Sequence, residues 1–246
     1  MTDLDLTTVS TPVDRLALAR KVLAEALGIA LLVAIVIGSG IYAETLSTDA
    51  GVQLLENSIA TGAGLVALIL AFGPVSGAHF NPVVTLADRL LGGISTRDAL
   101  AYIPAQIAGG CVGAVAANLM FELDAVTISD HARSSGALWF SEVIATMGLL
   151  LVILGVVRSG KGHTAPFAVG GYIAAAYWFT SSTSFANPAV TIARTLSDTF
   201  AGIKPSSVPA FIVAQLIGAA IAVVVGRFLH PALAADDVIV PHEPIA

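Results

Sequence analysis

The chain has 246 residues, 56% of them hydrophobic and only 11% charged, with a formal net charge of −6 and a single cysteine, Cys111. Soluble domains carry roughly 25% charged residues, so this composition excludes an ordinary soluble domain and points to an integral membrane protein. The acidic balance and the lack of a basic cluster exclude a nucleic-acid partner, and one cysteine supplies neither a disulfide framework nor a metal site, which leaves Cys111 a packing role.

Residues 1–14 are polar and acid-rich, without the layout of a cleaved signal peptide, and read as a disordered tail. The first apolar span is expected over 16–41, as an uncleaved insertion signal, with Glu25 embedded and Gly28, Gly38 and Gly40 available for close packing. Acidic Glu44, Asp49 and Glu56 bracket a short loop, and span two is expected over 52–75. Next comes Gly77-Ala78-His79-Phe80-Asn81-Pro82-Val83-Val84-Thr85-Leu86-Ala87, whose apolar run ends near Leu91, before Gly92-Gly93. Span three is expected over 99–121, with a small-residue face at Gly109, Gly110 and Gly113, followed by a polar loop over 122–136. Span four, over 137–157, embeds Glu142, and the basic loop after it carries His163, a solvated residue or a pH sensor. Span five is expected over 165–181, then Ser184-Phe185-Ala186-Asn187-Pro188-Ala189-Val190-Thr191-Ile192-Ala193-Arg194, running on to Ser197-Asp198. Span six is expected over 208–229, and 231–246 form a frayed tail.

Asn is a strong N-cap and Pro is favoured at the first helical position, so each Asn-Pro pair starts a helix. Each such helix is about ten residues long, too short to cross a bilayer. Two short apolar segments at corresponding places in two halves point to half-helices meeting at a midplane site. The halves match elsewhere: Glu25 corresponds to Glu142, and Ala105-Gln106-Ile107-Ala108-Gly109 to Ala214-Gln215-Leu216-Ile217-Gly218. Three spans per half turn the second repeat over. The expected fold is therefore an all-α membrane protein of six transmembrane helices plus two re-entrant half-helices, one channel domain over 15–230 with inverted repeats at 15–121 and 137–230. With both termini cytoplasmic, eight basic residues fall inside and three outside (Arg133, Arg194 and Lys204), as the positive-inside rule requires.

The two Asn-Pro stretches resemble the paired signature boxes of the major intrinsic protein family, the aquaporins and aquaglyceroporins. Asn81-Pro82-Val83 carries Val where that family usually has Ala. Asn187-Pro188-Ala189 is followed by Val190, where Arg is usual. The resemblance implies a cell-membrane homotetramer that lets small uncharged solutes through the lipid bilayer, without cofactor, metal or turnover chemistry. It also implies an outer filter of four positions, which spacing from the boxes assigns to Thr61, Ala175, Ser184 and Val190, with Ala174 or Tyr177 entering if the span-five count slips. All four are small or medium and uncharged, so the filter reads as wide and without its cation. Arg194, one turn beyond Val190, either supplies part of that charge or pairs with Asp198. Filters lacking the Arg resemble a bacterial branch associated with arsenic resistance, which suggests metalloid hydroxides or methylated arsenicals beside water and polyols.

Asn81 and Asn187 are either caps alone or caps that also offer amide donors to the lumen. An acid buried in a bilayer faces protein or a cavity, so Glu25 and Glu142 are either ion or proton sites or, as the resemblance implies, acceptors for re-entrant backbone that hydrocarbon cannot satisfy. His79 either lines the pore, as the family's His does, or is buried against backbone. The competing reading from another class is an ion-coupled secondary transporter using Glu25 and Glu142; a third is a junction or scaffold protein without flux.

Overall fold

A computed structural model describes residues 12–230. The expected 1–14 tail lies outside the described residues up to position 11, while residues 12–14 open the first helix; the expected 231–246 tail lies wholly outside them. Among the described residues there are eight α-helices: α1 (Pro12–Leu46), α2 (Ala50–Ser76), α3 (Pro82–Leu91), α4 (Thr96–Met120), α5 (Gly136–Arg158), α6 (Ala165–Phe179), α7 (Pro188–Ala193) and α8 (Val208–Leu229). Local sequence sets their starts. Asp49 caps α2 through Gly51 N and Val52 N, Ser95 caps α4 through Asp98 N, and Ser135 caps α5 through Leu138 N.

α1, α2, α4, α5 and α8 are long and apolar enough to cross a membrane. α6 is shorter than the expected 165–181: its 15 residues rise about 22 Å, against a hydrocarbon core of about 30 Å. The 3₁₀ turn Gly162–Thr164 extends it at one end. At the other, Thr180 folds back, its hydroxyl donating to Ala176 O (2.6 Å).

The halves repeat each other in packing. α1 lies against α4 where glycines remove side chains from the seam: a Cβ on Gly109 would stand 2.3 Å from Ala26 O, and one on Gly113 2.1 Å from Ala30 O. α5 meets α8 in the same way at Gly218, 2.5 Å from Val143 O. Outward stripes such as Leu23, Leu27 and Leu31 stay exposed, an apolar belt suited to hydrocarbon.

Contacts between distant residues fix the two ends of the bundle. Lys21 meets Asp98 (3.8 Å) and Arg227 Nη2 donates to Leu90 O (2.6 Å) at one end. Phe200 N donates to Glu44 Oε2 (3.1 Å) and Tyr42 packs on Phe121 at the other. Thus α3 runs from the middle toward the end that holds the start of α1, and α7 runs from the middle toward the opposite end. α7 is shorter than expected, six α-helical residues and one 3₁₀ turn, Arg194–Leu196. The following loop returns to it, Ile203 N donating to Arg194 O and Arg194 Nε to Ala201 O, and that stops the helix.

Candidate functional site

The loops entering α3 and α7 have matching left-handed backbones, with positive φ at Gly77, Ala78 and Phe80 in one and at Thr183, Ser184 and Ala186 in the other. A non-glycine residue in this conformation costs about 1–2 kcal/mol, so each loop needs holding. Glu25 and Glu142 hold them identically. Glu25 accepts from Ser76 Oγ (2.6 Å), His79 N (2.9 Å), Phe80 N (2.7 Å) and Gln106 Nε2 (2.8 Å). Glu142 accepts from Ser182 Oγ (2.6 Å), Phe185 N (2.9 Å), Ala186 N (2.8 Å) and Gln215 Nε2 (2.7 Å). Both carboxylates are fully buried, and four short donors each replace the lost hydration. The glutamines, visible in the sequence as a repeat without a role, also donate to Thr85 and Thr191, whose hydroxyls donate to Asn81 O and Asn187 O.

Asn81 and Asn187 are N-caps and more. Asn81 Oδ1 accepts from Val83 N, and Asn187 Oδ1 from Ala189 N and Val190 N. Each Nδ2 then crosses to the opposite loop, Asn81 to Ala186 O and Asn187 to Phe80 O, both at 2.8 Å. A primary amide has two N–H donors, so each keeps one. Pro82 and Pro188 take the first helical positions and are buried. Val83 is buried in the core and does not line the cavity, so its extra bulk over Ala leaves the aperture alone; Ala189 is likewise fully buried.

A cavity runs past both asparagines. Its wall is mostly aliphatic, in stripes four residues apart: Thr61, Leu65 and Ile69 on α2, and Val169, Ile173 and Tyr177 on α6. The re-entrant loops supply the polar part. Among the described residues no hydrogen bond uses the carbonyls of Ala78 and His79, or of Ser184 and Phe185, which leaves acceptors along the wall. The cavity brings together Thr61, Ser184 and Val190 of the four expected filter residues. Ala175 is the exception: it is exposed on the outer face of α6, about 200° around the helix from Tyr177. Tyr177 stands there instead, its hydroxyl 3.0 Å from Thr61 Oγ1.

His79 lines the cavity and is buried, with Nδ1 3.1 Å from Thr85 Oγ1 and Nε2 3.4 Å from Asp88 Oδ2. Arg194, seven residues after Asn187 as Asp88 is after Asn81, also lines the cavity. It makes no ion pair with Asp198, whose Oδ1 accepts from Ser129 Oγ and Asp130 N. Its guanidinium carbon sits over the Phe185 ring, 3.5 Å from the centroid. Such a stack is worth about 2 kcal/mol when desolvated. Arg133 approaches the same ring at 5.1 Å. In the adjoining loop, burial first and then Arg133 and Arg194 push His131 below its usual value, which keeps it neutral near neutral pH. Among the described residues no cluster of His, Cys, Asp and Glu has metal-binding geometry.

Comparison with known proteins supplies the context. The family model described as "Major intrinsic protein" matches residues 13–184, ending before Asn187. The chain is similar to the aquaglyceroporin AqpS of Rhizobium meliloti (strain 1021), 49% identical over 212 residues that cover 86% of this chain and 91% of that one. It is 34% identical over 173 residues to aquaporin NIP1-4 of Oryza sativa subsp. japonica, covering 66% and 60% of the two chains. The X-ray structure of the aquaglyceroporin from Plasmodium falciparum superposes with a TM-score of 0.71 at 21% identity, over 87% of this chain and 98% of that chain, a likeness of fold.

Proposed function

The chain belongs to the major intrinsic protein family, and on that premise we propose a passive channel for small uncharged solutes that admits polyols as well as water. The observation that carries this reading is the meeting of Asn81 and Asn187 on one cavity wall, each with an amide hydrogen to spare, at the N-termini of two opposed half-helices. A solute oxygen entering there accepts from the amides while the free loop carbonyls take its hydrogens. The helix N-termini make the same point unfavourable for cations and for protons moving along water.

Val190 and Tyr177 shape a throat without a guanidinium at the usual place, which favours solutes wider than water. The similarity to a protein named an aquaglyceroporin supports glycerol-like polyols. Urea, metalloid hydroxides and methylated arsenicals are the other members of this size and polarity class. We place the channel in the cell membrane with both termini cytoplasmic, the orientation favoured by its basic residues, and as a homotetramer. The coupled-transporter reading has little to stand on: Glu25 and Glu142 already take four donors each and leave no acceptor directed at an ion. Swelling of proteoliposomes across a panel of polyols, urea and metalloid acids tests the proposal. Flux above protein-free liposomes for glycerol and its neighbours supports it, and flux of water alone removes the wide-pore reading.

A further inference from the structure

The end of the cavity beyond Asn187 has a division of labour that Val190 alone does not suggest. Val190 and Arg194 are one helical turn apart on the same face, and both reach the cavity. Arg194 is 3% exposed, yet no carboxylate pairs with it among the described residues. Its Nε donates to Ala201 O and its guanidinium carbon sits over the Phe185 ring, which together hold the guanidinium at a fixed height. None of the hydrogen bonds among the described residues uses its Nη donors. Nor are those nitrogens among the enclosed unpartnered atoms, and the residue lines the cavity. Ser184 is on the same wall, but its Oγ is enclosed and has no partner. The guanidinium thus keeps unspent donors on a mostly aliphatic wall.

Building on the channel reading, we infer that Arg194 is the charge-selective residue of this mouth: its Nη donors receive uncharged, oxygen-bearing solutes while the guanidinium repels cations, and Val190 separately sets the aperture. An Arg at position 190 would fix width and charge together. Moving the cation one turn outward keeps the charge barrier while leaving the throat wide. The ring of Phe185, two residues before Asn187, is what makes the displaced position rigid enough to act as a filter.

The test uses the full chain in proteoliposomes, comparing the parent with Arg194→Leu and Arg194→Lys at equal folded content, and reading glycerol flux together with potassium leak. Arg194→Leu is expected to raise the potassium leak severalfold, and Arg194→Lys to hold it near the parent's. A folded Arg194→Leu as tight to potassium as the parent overturns the inference while leaving the channel reading intact. A parent with no glycerol flux above protein-free liposomes overturns the channel reading and this inference with it. Should the leucine variant not fold, butane-2,3-dione on the parent decides. Modification of Arg194, mapped by mass spectrometry, slowed by glycerol and accompanied by potassium leak, supports the assignment. An Arg194 that stays unmodified in conducting liposomes, or modification without leak, overturns it.

Discussion

Asn81 and Asn187 each donate Nδ2 to the carbonyl that precedes the other, Asn81 to Ala186 O and Asn187 to Phe80 O, both at 2.8 Å. This reciprocal tie joins the N-termini of two helices that run in opposite directions. It does so from residues 106 positions apart. Each amide thereby serves as cap, as clamp between the halves and as a remaining donor to the cavity.

Asn187→Ala removes all three at once. The cap alone is worth about 0.5–2 kcal/mol, and the clamp adds to that, so folded yield and flux per folded protein should both fall. Proteoliposome water and glycerol flux, normalised to folded protein, checks this. A variant that assembles normally and conducts like the parent would show that the amide has no part in conduction.

Glu142 separates a loop anchor from an ion relay. Glu142→Gln keeps shape and one oxygen, but its new amide would face Ala186 N, also a donor. Gln215 can ease the change by turning its amide, because its Oε1 has no partner. The expected cost is about 1–3 kcal/mol for an unpaired buried donor, with Glu142→Ala costing more because every donor is orphaned. Thermal unfolding in detergent reads the order. Equal loss of flux in both variants, with both as stable as the parent, would revive a relay.

The sequence displays the repeated parts of the site plainly. Asn-Pro, the buried acids and the Ala-Gln pairs each occur twice in register, and an inverted repeat obliges them to meet. A residue count from Asn187 points to Ala175 but ignores where a helix faces; the Val169, Ile173 and Tyr177 spacing carries the signal for the residues that line the cavity, with Tyr177 the alternative if the count slips. Arg194 was legible only as one turn from Val190 or from Asp198. Its choice of Phe185 depends on the loop returning through Ala201 and Ile203, a tertiary contact with no local signature.

Val190→Arg should narrow the throat and set a second cation one turn from Arg194. Like charges at that spacing repel, which also disfavours folding slightly. The ratio of glycerol to water permeability should fall. A ratio that stays constant or rises would remove position 190 from the constriction.

Gly113→Ala probes the seam between α1 and α4. The added Cβ would stand 2.1 Å from Ala30 O, and backbone must shift to admit it. Overpacking of this kind costs about 1–3 kcal/mol, so a lower unfolding temperature and reduced yield are expected. Gly136, which has nothing within 4 Å of the built Cβ, provides the control, and Gly136→Ala should be close to neutral. Equal stability of the two variants would contradict the packing account.

Passive conduction is the central claim, and glycerol flux under imposed ion gradients tests it most directly. Proteoliposomes holding the parent protein are mixed with glycerol in a stopped-flow instrument, with a proton gradient, a sodium gradient or neither. A passive channel gives the same initial glycerol flux in all three and equilibrates at equal concentration on both sides. A flux that rises with either ion gradient, or glycerol accumulating against its own gradient, would contradict it.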